Sequence, residues 1–254
     1  MKITFLGTGT SHGVPMIGCD CATCKSTDPR DKRLRPSIFI EPDDGIKLLV
    51  DAGPDLRAQA LAHDLRRIDA IVFTHGHADH ILGLDEIRRY NHMLHSAMAC
   101  YGDAATIADI RRMFAYIFDP ATPKGGGLPM IKTFTLAGPF CIGQSEIVPV
   151  PVMHGTRQIL GLRIGRFAYL TDCSGIPESS LGLLQDLDVL VLDALRERPH
   201  PTHFNLSEAV DTAARIAPRQ AYFTHMCHDL QHEATCARLP HGMQLAYDGL
   251  VLEC

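Results

Sequence analysis

The chain has 254 residues and a net charge of −5 with histidine counted neutral; 46% of its residues are hydrophobic and 21% charged. That is enough for one large α/β domain with a sizeable core. The acidic balance argues against general affinity for nucleic acid or an anionic membrane, and every apolar run is far shorter than the about 20 residues of a membrane span. The first apolar stretch ends at Gly7 and is too short for a signal-peptide core, so the expected compartment is the cytoplasm. There, nine cysteines read as thiols or metal ligands rather than disulfides.

In chain order, Lys2 to Leu6 reads as a strand, and Gly7 to Pro15 as a glycine-rich tight turn. It lacks the Gly-Lys-Ser/Thr ending of a phosphate-binding P-loop. Cys19-Asp20-Cys21-Ala22-Thr23-Cys24 places three thiols within one short loop, a spacing that can turn sulfurs toward one ion. A tetrahedral zinc there needs a fourth ligand from elsewhere. Arg30 to Arg35 reads as a basic, solvated connection. Strands follow at Arg35 to Ile40 and Ile46 to Val50, the second ending at Asp51. Leu56 to Arg67 reads as an amphipathic helix with Leu56, Ala60 and Leu61 on one face.

Ile68 to Phe73 is a buried-strand pattern and Ile81 to Tyr90 a helical one. Between them lies Thr74-His75-Gly76-His77-Ala78-Asp79-His80, four metal-binding side chains where a strand meets a helix. Beyond it, Ala97 to Tyr101 is a strand, Ala104 to Phe118 a helix, and Asp119 to Pro129 a lid candidate. Strands are expected at Ile131 to Leu136, Phe140 to Ile142, Ile147 to Val152, Ile159 to Ile164, Phe167 to Leu170, Val189 to Leu192 and Gln220 to Phe223. Helices are expected at Ser179 to Gln185 and at Ser207 to Ile216, the latter capped by Asn205. A last hairpin, Met243 to Tyr247 and Leu250 to Leu252, turns at Asp248-Gly249. Two sheets between helix layers, in a single domain over 1–254, is the simplest architecture.

His154, Asp172 and His225 each follow an apolar strand, as Asp51 and the histidine cluster do. Converging at one sheet edge, they suit two ions about 3.5–4 Å apart. His75, His77 and His154 would hold one, Asp79, His80 and His225 the other, and Asp172 would bridge. Asp51 would stand behind the ligands and hold one by hydrogen bond. Asp193, at another strand end, reads as structural, with a place behind the ligands as the alternative, and Cys173 beside Asp172 reads as filling space.

The ordered set Asp51, His75-x-His77-x-Asp79-His80, His154, Asp172 and His225 closely resembles the metallo-β-lactamase superfamily and spans nearly the whole chain. The resemblance implies a four-layer αββα sandwich with a dinuclear site, a fold that hosts several hydrolytic reactions. Phe5 to Pro15 looks like the start of its phosphodiesterase branch. Cys19, Cys21 and Cys24 look like the added structural zinc site of the phosphodiesterases accessory to carbon–phosphorus lyase, the PhnP group. That resemblance makes His228 the fourth ligand, with Cys227 ranked below it. It also makes His203 a phosphate-contacting histidine and general acid, grouped with Asp79 and Asp51 as the catalytic candidates.

The expected activity is hydrolysis of a small or cyclic phosphodiester, such as a phosphoribosyl 1,2-cyclic phosphate, by a hydroxide bridging two divalent ions, zinc or manganese. One further structural zinc is expected. The alternatives are a thioesterase or other acyl hydrolase on the same ligands, a tRNA 3′-processing nuclease, and a non-catalytic binding module. The sequence shows no long insertion to grip tRNA, and the acidic charge weighs against long nucleic acid. A homodimer is compatible with the sequence.

Overall fold

The computed structural model describes residues 1–123, 125 and 127–254, and places fourteen strands in two seven-stranded sheets. The first sheet holds β1 (Lys2–Gly7), β2 (Ser37–Glu41), β3 (Leu48–Val50), β4 (Ala70–Val72), β5 (Met98–Gly102) and β6 (Ile131–Thr135). The second holds β7 (Phe140–Ile142), β8 (Ser145–His154), β9 (Arg157–Ile164), β10 (Phe167–Leu170), β11 (Val189–Asp193), β12 (Gln220–Thr224) and β13 (Met243–Leu245). The final strand, β14 (Val251–Glu253), returns to the first sheet beside β1. Each sheet is antiparallel on one side and parallel on the other, with β3 to β6 and β10 to β13 forming the parallel runs.

Both faces of each sheet are covered, so consecutive strand residues are buried in opposite directions. Ile38 and Ile40 point between the sheets with Val50, Val72, Tyr169 and Val191. Phe39, Leu49 and Ile71 point outward against Leu56, Ile87, Tyr90, Ile107 and Ile110 of the outer helices. On the far side Leu190, Leu192 and Phe223 meet Ala209, Ala213 and Ile216 of the helix Leu206–Ile216. The result is the expected αββα sandwich. Asn205 starts that helix in a reciprocal capping box with Glu208, which satisfies two of its free N–H groups.

Several local expectations are corrected. Arg30 to Arg35 is not solvated: the Arg33 side chain is 0% exposed. Its guanidinium donates to the carbonyls of Cys227 and Leu230, so a charge that composition assigns to water is buried where backbone acceptors surround it. Residues 7–15 do not make a tight turn between neighbouring strands. Gly9 bridges Met226, and the chain runs through the cysteine loop before returning as β2. The helix at Leu56 stops at Ala62, and Leu61 is 66% exposed while Gln59 is buried in its place. Residues 78–94 are not one helix: a short turn Ala78–Ile81 gives way to a 3₁₀ stretch and then to Arg88–Leu94. The helix His232–Cys236 carried too short a pattern to be read. The expected lid over 119–129 includes Lys124 and Gly126, which lie outside the described residues.

The last two strands are not a hairpin, because β13 pairs with β12 and β14 with β1. Asp248 sits at the crossing and accepts hydrogen bonds from the Thr8 hydroxyl and the Leu34 N–H, both at 2.7 Å. Burial pushes Asp248 up to about 7, against the pull of those donors. The folded state therefore holds this proton more tightly than the unfolded chain. The stabilisation is full below the unfolded value and is lost as pH rises through about 7. Unfolding titrations from about pH 4 to pH 7 are expected to show wild-type stability falling more steeply than that of Asp248→Asn. Parallel slopes for the two proteins would contradict this.

Candidate metal centre and active site

The donors expected for the two active-site ions lie at the carboxyl ends of the strands, where open α/β sheets bind ligands. Asp51 follows β3, the histidine cluster follows β4, His154 ends β8, Asp172 follows β10 and His225 follows β12. Asp51, Asp172 and His225 adopt left-handed backbone conformations, with φ of 60°, 55° and 60°. Such conformations are uncommon for non-glycine residues and concentrate at functional sites. Glycines let the backbones close in: a Cβ on Gly53 would collide with the Asp79 carbonyl, and one on Gly83 with the Gly53 carbonyl. Ala52 N–H donates to the His80 carbonyl and Gly83 N–H to the Ala52 carbonyl, which fixes the two loops together.

Donor atoms of His75, His77 and His154 cluster within 4.8 Å of one another, and those of Asp79, His80, Asp172 and His225 form a second group. Asp172 joins them: its Oδ1 is 3.1 Å from His225 Nε2 and 3.9 Å from His75 Nε2, and its Oδ2 is 3.2 Å from His80 Nε2. His80 Nδ1 donates to Asp51 Oδ2 at 2.7 Å, and Asp51 is itself held by the Thr74 N–H and hydroxyl at 2.8 Å. His154 Nδ1 donates to the Asp172 carbonyl at 2.8 Å. With Nδ1 tied, Nε2 of each ring is left as the lone-pair donor. The Nε2 atoms of His75, His80 and His225 are buried without a hydrogen-bond partner. Unpartnered, inward-facing nitrogens beside two carboxylates fit divalent cations.

Electrostatics agree. Burial opposes ionisation of Asp79 and Asp172, yet His80 and His225 hold both well below the usual carboxylate range. Burial also opposes charge on His80, but Asp172, Asp51 and Asp79 raise it well above the usual histidine value. His75, with burial and His80 against it, is pushed well below.

His203 lies beside this cluster, its ring stacked on His225 at 4.8 Å between centroids and 4.8 Å from His154. Behind both rings is Asp193, with Oδ2 3.3 Å from His203 Nδ1 and Oδ1 3.5 Å from His225 Nδ1. Asp193 therefore belongs to the site and is not merely structural; the signal available in sequence was only its position at a strand end. Cys173 is buried and offers its carbonyl to the Phe204 N–H. His203 borders a cavity of about 260 Å³ whose lining includes Ser11, His12, Arg196, Arg198 and His228. A larger groove beside Leu56 and Tyr90 contains none of the metal-binding clusters.

Cys19, Cys21 and Cys24 gather around His228, with Sγ to Nδ1 separations of 3.1, 3.6 and 3.5 Å. Sulfurs around a tetrahedral zinc stand about 3.8 Å apart, and these donor atoms all lie within 4.8 Å of one another. Met16 N–H donates to the Cys24 sulfur and Cys24 N–H to that of Cys21. Burial pushes the Cys24 thiol up to about 11 without a cation beside it. Cys227 is not in the cluster; its sulfur accepts from the Asp229 N–H.

The fold and this donor set are those of a metal-dependent hydrolase. Residues 47–226 match the Beta-lactamase superfamily domain, and the chain belongs to that superfamily. A solved structure described as a new diphosphatase from the PhnP family superposes with a TM-score of 0.93 at 45% identity, covering 100% of this chain and 97% of that one. Zinc-bound PqqB from Methylobacterium extorquens shares the fold, with a TM-score of 0.84 at 20% identity over the full length of both chains. In sequence, an octanoyltransferase of Porphyromonas gingivalis is 35% identical over 252 residues, 98% of this chain. The chain spans about half, 51%, of that protein's length. No helix among the described residues is long and apolar enough to cross a membrane.

Cys21→Ser is expected to release one zinc per chain and lower thermal stability while leaving the other bound metal in place. Metal analysis alongside thermal unfolding checks this; unchanged stoichiometry would count against a metal at the cysteines.

Proposed function

We propose that the chain is a dinuclear metal-dependent phosphodiesterase acting on small or cyclic phosphodiesters, a phosphoribosyl 1,2-cyclic phosphate being one candidate. The observation that carries this reading is His203, a histidine stacked on His225 and backed by Asp193, the carboxylate it shares with that ring. His75, His77 and His154 would hold one ion, Asp79, His80 and His225 the other, with Asp172 shared. Zinc or manganese held there supplies Lewis acidity and a nucleophile at neutral pH.

The chain's own residues divide the remaining work. Asp51 has its oxygens occupied by Thr74 and His80, so it orients a ligand and does not reach substrate. Burial, with His225 next, pushes His203 down to about 4. Burial also drives Asp193, whose Oδ2 lies 3.3 Å from His203 Nδ1, well up. A phosphodiester anion beside the ring raises the imidazole pKa by opposite charge. Substrate therefore favours uptake of a proton from solvent at Nε2, and His203 delivers that proton to the departing oxygen. The cavity beside His203, about 260 Å³ with Arg196 and Arg198 in its walls, suits a small anion. The diphosphatase description of the 45% identical structure supports phosphorus chemistry. The octanoyltransferase name belongs to a protein about twice as long and does not by itself transfer to this half.

Hydrolysis of bis(p-nitrophenyl) phosphate is expected after chelation and restoration of zinc or manganese. Thioester hydrolysis without phosphodiester turnover would replace this reading with the acyl hydrolase. His203→Ala is expected to lower phosphodiester turnover by roughly 10²–10⁴-fold with metal content unchanged. A variant that loses metal together with activity would show that His203 acts as a ligand instead.

A further inference from the structure

Gly76 lies between the two first histidines of the metal loop. Its need for glycine comes from a neighbour: a Cβ there would stand 2.5 Å from Asp109 Oδ2 and 2.7 Å from Asp109 Cβ. Asp109 belongs to the helix Ala104–Met113, which is capped by Asp103 and anchored in the outer core through Ile107 and Ile110. Its side chain is therefore presented from a fixed platform, against the backbone that separates His75 from His77.

The same carboxylate reaches the other half of the molecule. Arg157 donates to Asp109 Oδ2 at 3.2 Å, and Arg157 is the residue paired with His154 across the β8–β9 hairpin. Arg112, one turn along the helix, donates to Oδ1 at 2.9 Å and leaves Oδ2 to face Gly76 and Arg157. So one carboxylate touches the segment bearing His75 and His77 and binds the hairpin bearing His154. A second tie, Leu160 N–H to the Thr74 carbonyl at 3.1 Å, joins the same two segments. None of these contacts involves the β12 end that carries His225.

We propose that Asp109 and Arg157 form a clamp that sets the spacing of the His75, His77 and His154 donors, and so governs affinity for one of the two active-site ions. The proposal rests on the dinuclear reading above. Both residues are positioning residues: they act through the loops they join and neither is a ligand. Mutations behind metal ligands typically weaken affinity about 10–100-fold. As a plain ion pair, partly exposed, the contact contributes little to folding, and alanine favours the helix at position 109. Loss of an ion without loss of fold is thus the signature that separates a clamp from a merely structural contact.

The test is a cobalt titration of the chelated full-length protein, followed by its visible absorption, for wild type, Asp109→Ala and Arg157→Met. Wild type is expected to take up two active-site ions besides the one at the cysteines. Each variant is expected to bind one active-site ion about 10–100-fold more weakly, with the other active-site ion, the cysteine site and the melting temperature near wild type. Asp109→Asn keeps an acceptor for Arg157 and is expected to fall between. Two ions held with wild-type affinity in both Asp109→Ala and Arg157→Met would overturn the clamp alone. A wild-type protein that takes up cobalt only at the cysteines would overturn the dinuclear reading beneath it.

Discussion

Imidazole nitrogens with nothing to bind, buried against carboxylates at the edge of two sheets, are the constraint on which the rest of the molecule depends. The Nε2 atoms of His75, His80 and His225 have no protein partner. Each buried unsatisfied polar group costs on the order of 1–3 kcal/mol, and burying the carboxylates beside them carries a desolvation cost of its own. A packed apolar substitute would relieve both costs. The fold instead fixes them in place: Asp51 holds His80, the Asp172 carbonyl holds His154, and Asp193 lies behind His225. Three of the residues involved take left-handed backbone conformations to swing their side chains over the strand ends. A cation resolves this arrangement, since it neutralises the carboxylates and accepts the lone pairs together.

The two sheets explain why the donors can meet at all. In both, an antiparallel half feeds a parallel run, and parallel neighbours end at the same level. Val50 aligns with Val72, Leu170 with Leu192, and Asp193 with Thr224. Residues one or two positions beyond those pairs therefore emerge together. The apolar layer between the sheets, with Ile38, Val72, Tyr169 and Val191 in it, holds the two edges in one relative position. Precision in the site is thus inherited from strand register and core packing rather than from the loops themselves.

Much of this was legible in the sequence, for definable reasons. Strand ends followed by His or Asp could be read because Ile68 to Phe73, Ile147 to Val152, Phe167 to Leu170 and Gln220 to Phe223 are short runs with clear limits. The cysteine loop declared itself by spacing. What escaped reading depended on distant partners. Arg33 looks solvated in a basic stretch, and only the carbonyls of Cys227 and Leu230 make its burial tolerable. The last strands alternate like a hairpin, yet Asp248 draws the chain toward Thr8 and Leu34 and sends β14 to the other sheet. Asp193 sits at a strand end like several of the proposed ligands, and its place in the site follows only from the two rings that pack on it.

The segment from His225 to His228 joins the two metal-binding clusters. One end belongs to the active-site group and the other to the cysteine group. Arg33 braces it from below through the Cys227 carbonyl, while Thr8 and Thr10 bracket Met226 with backbone hydrogen bonds. A metal at the cysteines would therefore do more than stiffen a surface loop. It would pin residues 19–24 against the segment that sets His225, and with it the ring of His203 stacked on His225. The same segment, with Cys227 and His228, forms a wall of the cavity beside His203. Metal-dependent hydrolases of this fold carry out many reactions; the cysteine loop is the element that ties the geometry of the histidine cluster to the shape of the adjoining pocket.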